Sequence, residues 1–303
     1  MLLQPDCIPC IAKMALSSIR LLTDDERRQK DLFTRVLEIP GLRGLAWDKI
    51  SPEVLEPVMN ILVEAFGKLD PFRELKERQN KKALELYPAL KRAVEKAQDP
   101  LFAAVNLAIW GNSVDVMVTD RSIDVAEIVK RELDNASLKA SYCEFRQRLE
   151  RTHLLLYLGD NSGEVVFDRL LIETIKKFYA PQIVFVVRGA PALNDVTLKE
   201  AAEVGMDSTA TVISNGMTGL APGTILSRCS AELNELFETS DLVISKGGAN
   251  FDSLEEVKDR YGNLSFLLIA KCPPYSKYFT VELHQPVLAN FFKTSPRPDF
   301  DEK

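Results

Sequence analysis

The sequence predicts an α/β protein: a three-layer α/β/α sandwich around a mainly parallel sheet, with an α-helical region in front of it. Three observations lead there. Apolar residues recur at helical spacing through the first half of the chain. At His153 the pattern changes to short, unbroken apolar runs. From there on, strand-length runs alternate with amphipathic segments, which is the order that βαβ units require. The change of pattern divides the chain into a helical N-terminal region, 1–150, and an α/β domain, 151–303.

The first helix is read from Cys7, through Ile8, Ile11, Ala12, Ala15, Leu16, Ile19 and Leu22, with Asp6 as N-cap and Pro9 in the first turn. A second stripe runs through Val54, Leu55, Val58, Ile61, Leu62, Ala65 and Phe66, after a Ser51-Pro52 start. Pro57 leaves its first turn open. The charged stretch from Phe72 to Gln98 reads as one or two amphipathic helices. Asp99-Pro100 opens another that ends near Gly111, and 122–150 continues the helical pattern. Five apolar runs then read as strands: HLLLYLG, IVFVVRG, TATVIS, DLVISKGG and LSFLLIAK. Most lack strict alternation, as strands buried on both faces do. Helical patterns fill the gaps from Glu164 to Phe178, Asp195 to Val204, Ser230 to Phe237 and Ser253 to Tyr261.

The 303 residues are 46% hydrophobic and 27% charged, with a formal net charge of -6. A mildly acidic chain with no long basic run is a poor match for nucleic acid or an anionic membrane. No apolar run approaches the ~18 residues that span a bilayer, and the first residues lack the pattern of a secretory signal. Five cysteines are few for this length and odd in number. A reducing, cytoplasmic setting is expected.

Ligands of an open parallel sheet bind beyond the carboxyl ends of its strands. Asp160, Asn161, Ser162, Gly163 and Glu164 follow the first predicted strand. Arg188, Gly189, Asn194 and Asp195 follow the second, and Asn215-Gly216 the third. Lys246, Gly247, Gly248 and Asn250 follow the fourth, and Lys271 the fifth. Oxygen donors from Asp160, Asn161 and Asp195 suit a hard divalent cation such as Mg²⁺ or Mn²⁺, with Co²⁺ and Ni²⁺ as tighter-binding N/O metals. Lys246 and Lys271 are point charges suited to a phosphate, and the glycines let backbone N–H groups approach an anion. A metal, cations and backbone donors around one anion are the apparatus of phosphoryl transfer. Each piece also has an ordinary reading: Asp160 and Asn194 or Asp195 as helix caps, the lysines as solvated strand ends.

These residues also carry a family resemblance. YLGDNSGEVVFDRLLIE, VRGAPALNDVTLKEA, SDLVISKGGANFDSL and LLIAKCPP, in that order, resemble the damage-control phosphatase family. One eukaryotic branch of that family is named acidic residue methyltransferase, and another is fused to a pantothenate kinase. DPLFAAVNLAIWGNSVDV resembles the family's Gly-Asn element, and DCIPC the cysteine pair of its prokaryotic branch. The resemblance spans nearly the whole chain. It implies a divalent-metal phosphatase acting on small phosphorylated metabolites, with Asp160, Asn161 and Asp195 as metal ligands. It implies that Lys271 contacts the substrate phosphate, although the Arg-Thr-x-Lys context of the methyltransferase-named branch is Leu268-Ile269-Ala270-Lys271 here. It places Lys246 and Asn250 in a second substrate-side motif, and Asn112 and Asp115 in the pocket lining. Arg188 joins the substrate-side residues by its place at a strand end.

The expected chemistry is phosphomonoester hydrolysis by a metal-oriented water, with Asp160 or Asp195 as base. Asp160 as nucleophile is the other route. Two rival functions use the same scaffold: an S-adenosylmethionine-dependent carboxyl methyltransferase, and a non-catalytic metabolite-binding protein. Against the first, only one glycine follows Asp160 in the loop, and the second strand ends in Arg188 rather than a ribose-binding acid. Cys7 and Cys10 read first as packing or capping groups, next as half a zinc site and last as a redox pair, since they open a helical pattern and not the helix of a βαβ unit. His153 reads as structural, because it opens a buried strand.

Overall fold

A computed structural model describes residues 1–111 and 136–293. Among these residues six α-helices come first: α1 (Cys7–Leu22), α2 (Glu26–Leu37), α3 (Ser51–Phe66), α4 (Arg73–Lys96), α5 (Pro100–Gly111) and α6 (Ala136–Leu149). The sheet region follows as β1 (Leu154–Leu158), α7 (Glu164–Phe178), β2 (Gln182–Val187), α8 (Leu198–Glu203), β3 (Thr211–Ser214), α9 (Ala231–Thr239) and β4 (Leu242–Lys246). It ends with α10 (Gly247–Leu254), α11 (Lys258–Tyr261), β5 (Asn263–Ile269), α12 (Pro273–Phe279) and β6 (Pro286–Phe292).

The strand order is β3-β2-β1-β4-β5-β6, with β6 antiparallel to β5 and the other neighbours parallel. The chain therefore leaves β1 in one direction to build β2 and β3, then returns to β1's other side for β4. The crevice beyond the carboxyl ends of β1 and β4 is the topological switch point, where open α/β sheets bind ligands.

Side chains along β1 divide between two cores with the two-residue period of a strand. Leu155 and Tyr157 pack with α4, α5 and α7, whereas Leu156 and Leu158 pack with Leu233 of α9 and Phe251 of α10. The three-layer sandwich is thus present, and α4, α5 and α6 of the N-terminal region belong to it. Helix α5 is apolar on nearly every side because it lies between α7 and the sheet. Helices α1–α3 share a third apolar cluster that includes Leu220 and borders Ala190 and Leu193, from the loops beyond β3 and β2. They consequently sit over the carboxyl edge of the sheet.

Several details differ from the sequence reading. Asp6 makes no side-chain cap hydrogen bond; its backbone is already helical. Pro57 and Pro88 lie inside α3 and α4 without ending them. The helix expected from Asp195 starts at Leu198, fixed by the Thr197–Glu200 capping box. The helix expected from Ser253 starts at Gly247, directly at the end of β4. Strand β6 was not foreseen, since PVLANFF opens on proline; Pro286 sits at the sheet edge, where a missing N–H is tolerated. His153 does not enter the buried strand: its ring is 95% exposed. Its backbone N–H donates to Asp241 Oδ2 at 2.8 Å. Among the described residues no helix is long and apolar enough to cross a membrane.

Candidate active site

The site is built by lateral pairing of two loops. Beyond β1, the carbonyl of Asp160 accepts from Val196 N at 2.8 Å, and Ser162 N donates to Asn194 O at 2.8 Å. Asn161 and Asp195 form an isolated antiparallel bridge. This strap draws Asp195, well past the end of β2, against Asp160 and Asn161. Helix α4 clamps both loops from above. Asn80 Oδ1 accepts from Gly163 N at 2.7 Å, and Asn194 Nδ2 donates to Gln79 Oε1 at 3.3 Å. The glycine N–H expected to face an anion is therefore committed to Asn80.

Asp160 and Asp195 are buried, at 5% and 3% exposure. Burial holds the Asp160 carboxyl well above the usual carboxylate range; Glu164 and Asp195 push it further, and Arg188 and Lys271 oppose. Burial also raises Asp195, against the pull of Arg188. Two desolvated carboxylates of this kind gain most from a cation between them. Gly247 has φ +77°, and any Cβ there would run into the Asp160 carboxylate. Only glycine lets the β4–α10 turn lie against that carboxylate.

Arg188 is 2% exposed and lies behind the aspartates. Its Nε donates to Asp195 Oδ2 at 2.6 Å, its Nη1 to Thr224 Oγ1 at 3.2 Å, and its Nη2 stands 3.7 Å from Asp160 Oδ1. It serves as their counter-ion, in place of the substrate contact expected of it. Asn250 is likewise enclosed. Its Nδ2 donates to Gly159 O at 3.0 Å and to Lys246 O at 2.8 Å, and its Oδ1 accepts from Thr224 at 2.8 Å. It ties three loops together and does not line the pocket.

Lys246 is the largest departure. It was read as a rim cation for phosphate, but it is fully buried. Its Nζ donates to Ala108 O at 2.7 Å, Glu164 Oε1 at 2.6 Å and Asp168 Oδ1 at 2.7 Å. The side chain leaves the end of β4 toward α7 and α5, so the sheet face it occupies, and not the strand end, decides its partners.

What remains together is a pocket of about 330 Å³ lined by Asp160, Asn161, Asp195 and Lys271. Met14 of α1, Ser51 and Leu55 of α3 and Gln79 of α4 complete its walls. Gln79 and Asn80 were missed in the sequence; their signal was an uncharged amide pair inside a helix otherwise rich in Lys, Arg and Glu. Asn112 and Asp115 lie outside the described residues, next to Gly111, which does line the pocket.

The donor set fits a hard divalent cation, because it offers two buried carboxylates and one amide oxygen. No three His, Cys, Asp or Glu side chains form a metal-holding group among the described residues. A cation here would complete its shell with water or substrate oxygens, as Mg²⁺ and Mn²⁺ commonly do. None of the five cysteines is in a disulfide. Burial pushes the Cys7 thiol up and Cys272 up to about 11, which lowers their thiolate content at neutral pH.

Fold and site together define a doubly wound α/β protein with an acidic oxygen-donor site and a lysine at its switch point. The family profile described as the damage-control phosphatase ARMT1-like domain matches residues 3–287, and the chain belongs to that family. It is 32% identical over 293 residues to the uncharacterized protein MJ0202 of Methanocaldococcus jannaschii, covering 94% of each chain. It is 30% identical over 285 residues to a damage-control phosphatase of Archaeoglobus fulgidus, covering 91% of this chain and 95% of that one. The crystal structure of the DUF89 family protein PH1575 from Pyrococcus horikoshii superposes with a TM-score of 0.83 at 27% identity, covering 96% of this chain and 99% of that one.

Proposed function

We propose that this protein is a divalent-metal-dependent phosphatase that hydrolyses small phosphorylated metabolites, including damaged ones. The observation that carries the reading is the convergence of Asp160, Asn161, Asp195 and Lys271 on one pocket. Names of relatives support the activity class: two archaeal relatives, each 30% identical, are called damage-control phosphatases.

Asp160, Asn161 and Asp195 would hold the cation, which when bound supplies Lewis acidity and charge neutralisation for a phosphoryl group. Lys271 balances charge on the phosphoryl oxygens from the pocket rim. Arg188 fixes Asp195 by one carboxylate oxygen. Attack by water suits this arrangement better than attack by Asp160. Its Oδ2 accepts from Asn161 at 2.7 Å, and its Oδ1 faces Arg188 at 3.7 Å. A carboxylate so held is a poor nucleophile and a serviceable proton acceptor. Helices α1, α3 and α4 keep bulk water from the pocket and supply the contacts that select the organic part of a substrate. Its volume suits a small metabolite.

Phosphate release from p-nitrophenyl phosphate and from a panel of phosphorylated metabolites tests the reading. Purified protein is treated with EDTA and then supplied singly with Mg²⁺, Mn²⁺, Co²⁺ or Ni²⁺. Turnover is expected only after a metal is returned. Full turnover in EDTA, or none with any metal, defeats the proposal.

Lys271→Met separates charge from packing, since it keeps an unbranched apolar stem of similar length. A loss of about 100-fold in kcat/KM is expected for removal of one charged transition-state contact, with little change in Tm. Unchanged kinetics would remove Lys271 from the phosphate site.

A further inference from the structure

An amide ligand has a difficulty that a carboxylate does not: only its oxygen can bind a cation, and its NH₂ end repels one. Something must set which end of Asn161 faces the pocket. Two anions lie on its NH₂ side. Asn161 Nδ2 donates to Asp160 Oδ2 at 2.7 Å and to Glu164 Oε2 at 3.2 Å. Glu164 is 1% exposed and is not among the pocket-lining residues, so its hydrogen bond toward the ligand set goes to Asn161 and not to a bound ligand.

Glu164 is itself held from behind. Its other oxygen, Oε1, accepts from Lys246 Nζ at 2.6 Å, and that ammonium is pinned by Asp168 Oδ1 at 2.7 Å and Ala108 O at 2.7 Å. Its position at the first residue of α7 places its charge at the favourable end of the helix dipole. Both oxygens of the carboxylate are therefore assigned, one to the lysine and one to the amide.

We propose that Glu164, anchored by Lys246, is a positioning residue that locks the Asn161 amide with Oδ1 toward the cation. The inference rests on the reading of Asp160, Asn161 and Asp195 as metal ligands. Groups that orient a ligand from behind typically govern metal affinity by about 10–100-fold. A simpler role for Glu164, as a mere counter-charge to Lys246 or to the helix end, would ask only for a negative charge there.

Two variants distinguish these roles. Glu164→Gln keeps the shape but loses the charge, and it cannot accept from both Lys246 and Asn161. Glu164→Asp keeps the charge for Lys246 but is one methylene too short to span both partners. Mn²⁺ affinity is measured by the electron paramagnetic resonance signal of free Mn²⁺ titrated with metal-free protein, alongside the melting curve of each variant. Wild type is expected to bind Mn²⁺, and both variants are expected to weaken it by about 10–100-fold while still melting cooperatively. Wild-type affinity in Glu164→Asp would show that charge alone suffices and would overturn the proposal, as would unchanged affinity in Glu164→Gln. If Glu164→Gln fails to fold, Glu164→Asp decides the matter alone. Failure of wild type to bind Mn²⁺ or any of the other three metals would instead remove the ligand assignment itself, a distinguishable result.

Discussion

Asp160→Asn is expected to abolish metal-dependent phosphate release while leaving the protein as stable as wild type in EDTA, or more stable. The two halves of this outcome come from one cause. Asp160 is 5% exposed, and burial together with the charges of Glu164 and Asp195 keeps its carboxyl well above the usual range. A carboxylate in that condition costs the metal-free protein stability, so the isosteric neutral amide relieves the fold. The same charge is what a cation and a phosphoryl transition state require. Its loss removes several kcal/mol of electrostatic stabilisation, or about 1,000-fold or more in kcat/KM. Asp195→Asn should behave alike in activity, but it also removes the negative charge that neutralises the buried Arg188 guanidinium and reduces their 2.6 Å ion pair to a neutral-acceptor hydrogen bond. Its Tm should therefore fall below that of Asp160→Asn. Kinetics and melting curves on both variants in EDTA and in Mn²⁺ give the answer. Retention of kcat/KM within tenfold by Asp160→Asn, or loss of activity only through unfolding, would contradict the site assignment.

The parts legible in the sequence were those fixed by short-range pattern. The apolar runs at 154–158, 182–187 and 242–246 declared themselves because strands buried on both faces contain little else. Asp160, Asn161 and Lys271 could be placed because a topology rule says what lies beyond a parallel strand. Asp195 was found through the same rule, yet its true contact with Asn161 depends on the loop pairing of Asn161 with Asp195 and of Ser162 with Asn194. Nothing in local periodicity reports such pairing. Lys246, Asn250 and Arg188 were placed at the right strand ends and given the wrong partners. Each lies beyond a strand, but a side chain there can turn to the rim or back between sheet and helix. Which way it turns depends on whether Glu164, Asp168, Thr224 or Asp195 waits for it. Gln79 and Asn80 were invisible for a related reason: helix α4 crosses the site by long-range packing, and an amphipathic pattern names the buried face without naming what it covers.

Lys246→Met is the variant with the largest expected effect on stability. The ammonium is fully buried and neutralises two buried carboxylates, Glu164 and Asp168, while also satisfying the Ala108 carbonyl. Burial alone would lower its pKa, but the charges of Asp168 and Glu164 outweigh burial and raise it well above the ordinary lysine value. It stays charged across the accessible pH range. Removing it leaves two buried charges without a cationic partner, for which a loss of roughly 3–5 kcal/mol is expected, or a fall of roughly 5–8 °C in Tm for a chain of this length. The pH dependence carries the diagnosis. In wild type, burial has already pushed Asp168 up to about 6, with Lys246 pulling it down. Without Lys246 that carboxyl rises further, so the folded variant holds a proton that the unfolded chain, near ~3.9, releases. A folded-state pKa above the unfolded one means stability that is complete at low pH and lost as pH rises through the folded value. The deficit of Lys246→Met against wild type should accordingly be greatest near pH 8 and shrink as pH is lowered toward 5. Adding Asp168→Asn should recover part of it at pH 8, because one of the stranded charges is gone. Thermal melts of the single and double variants at pH 5, 6.5 and 8 measure this directly. A Lys246→Met protein as stable as wild type, or one whose deficit does not change with pH, would mean that the lysine is not the partner on which these two carboxylates depend.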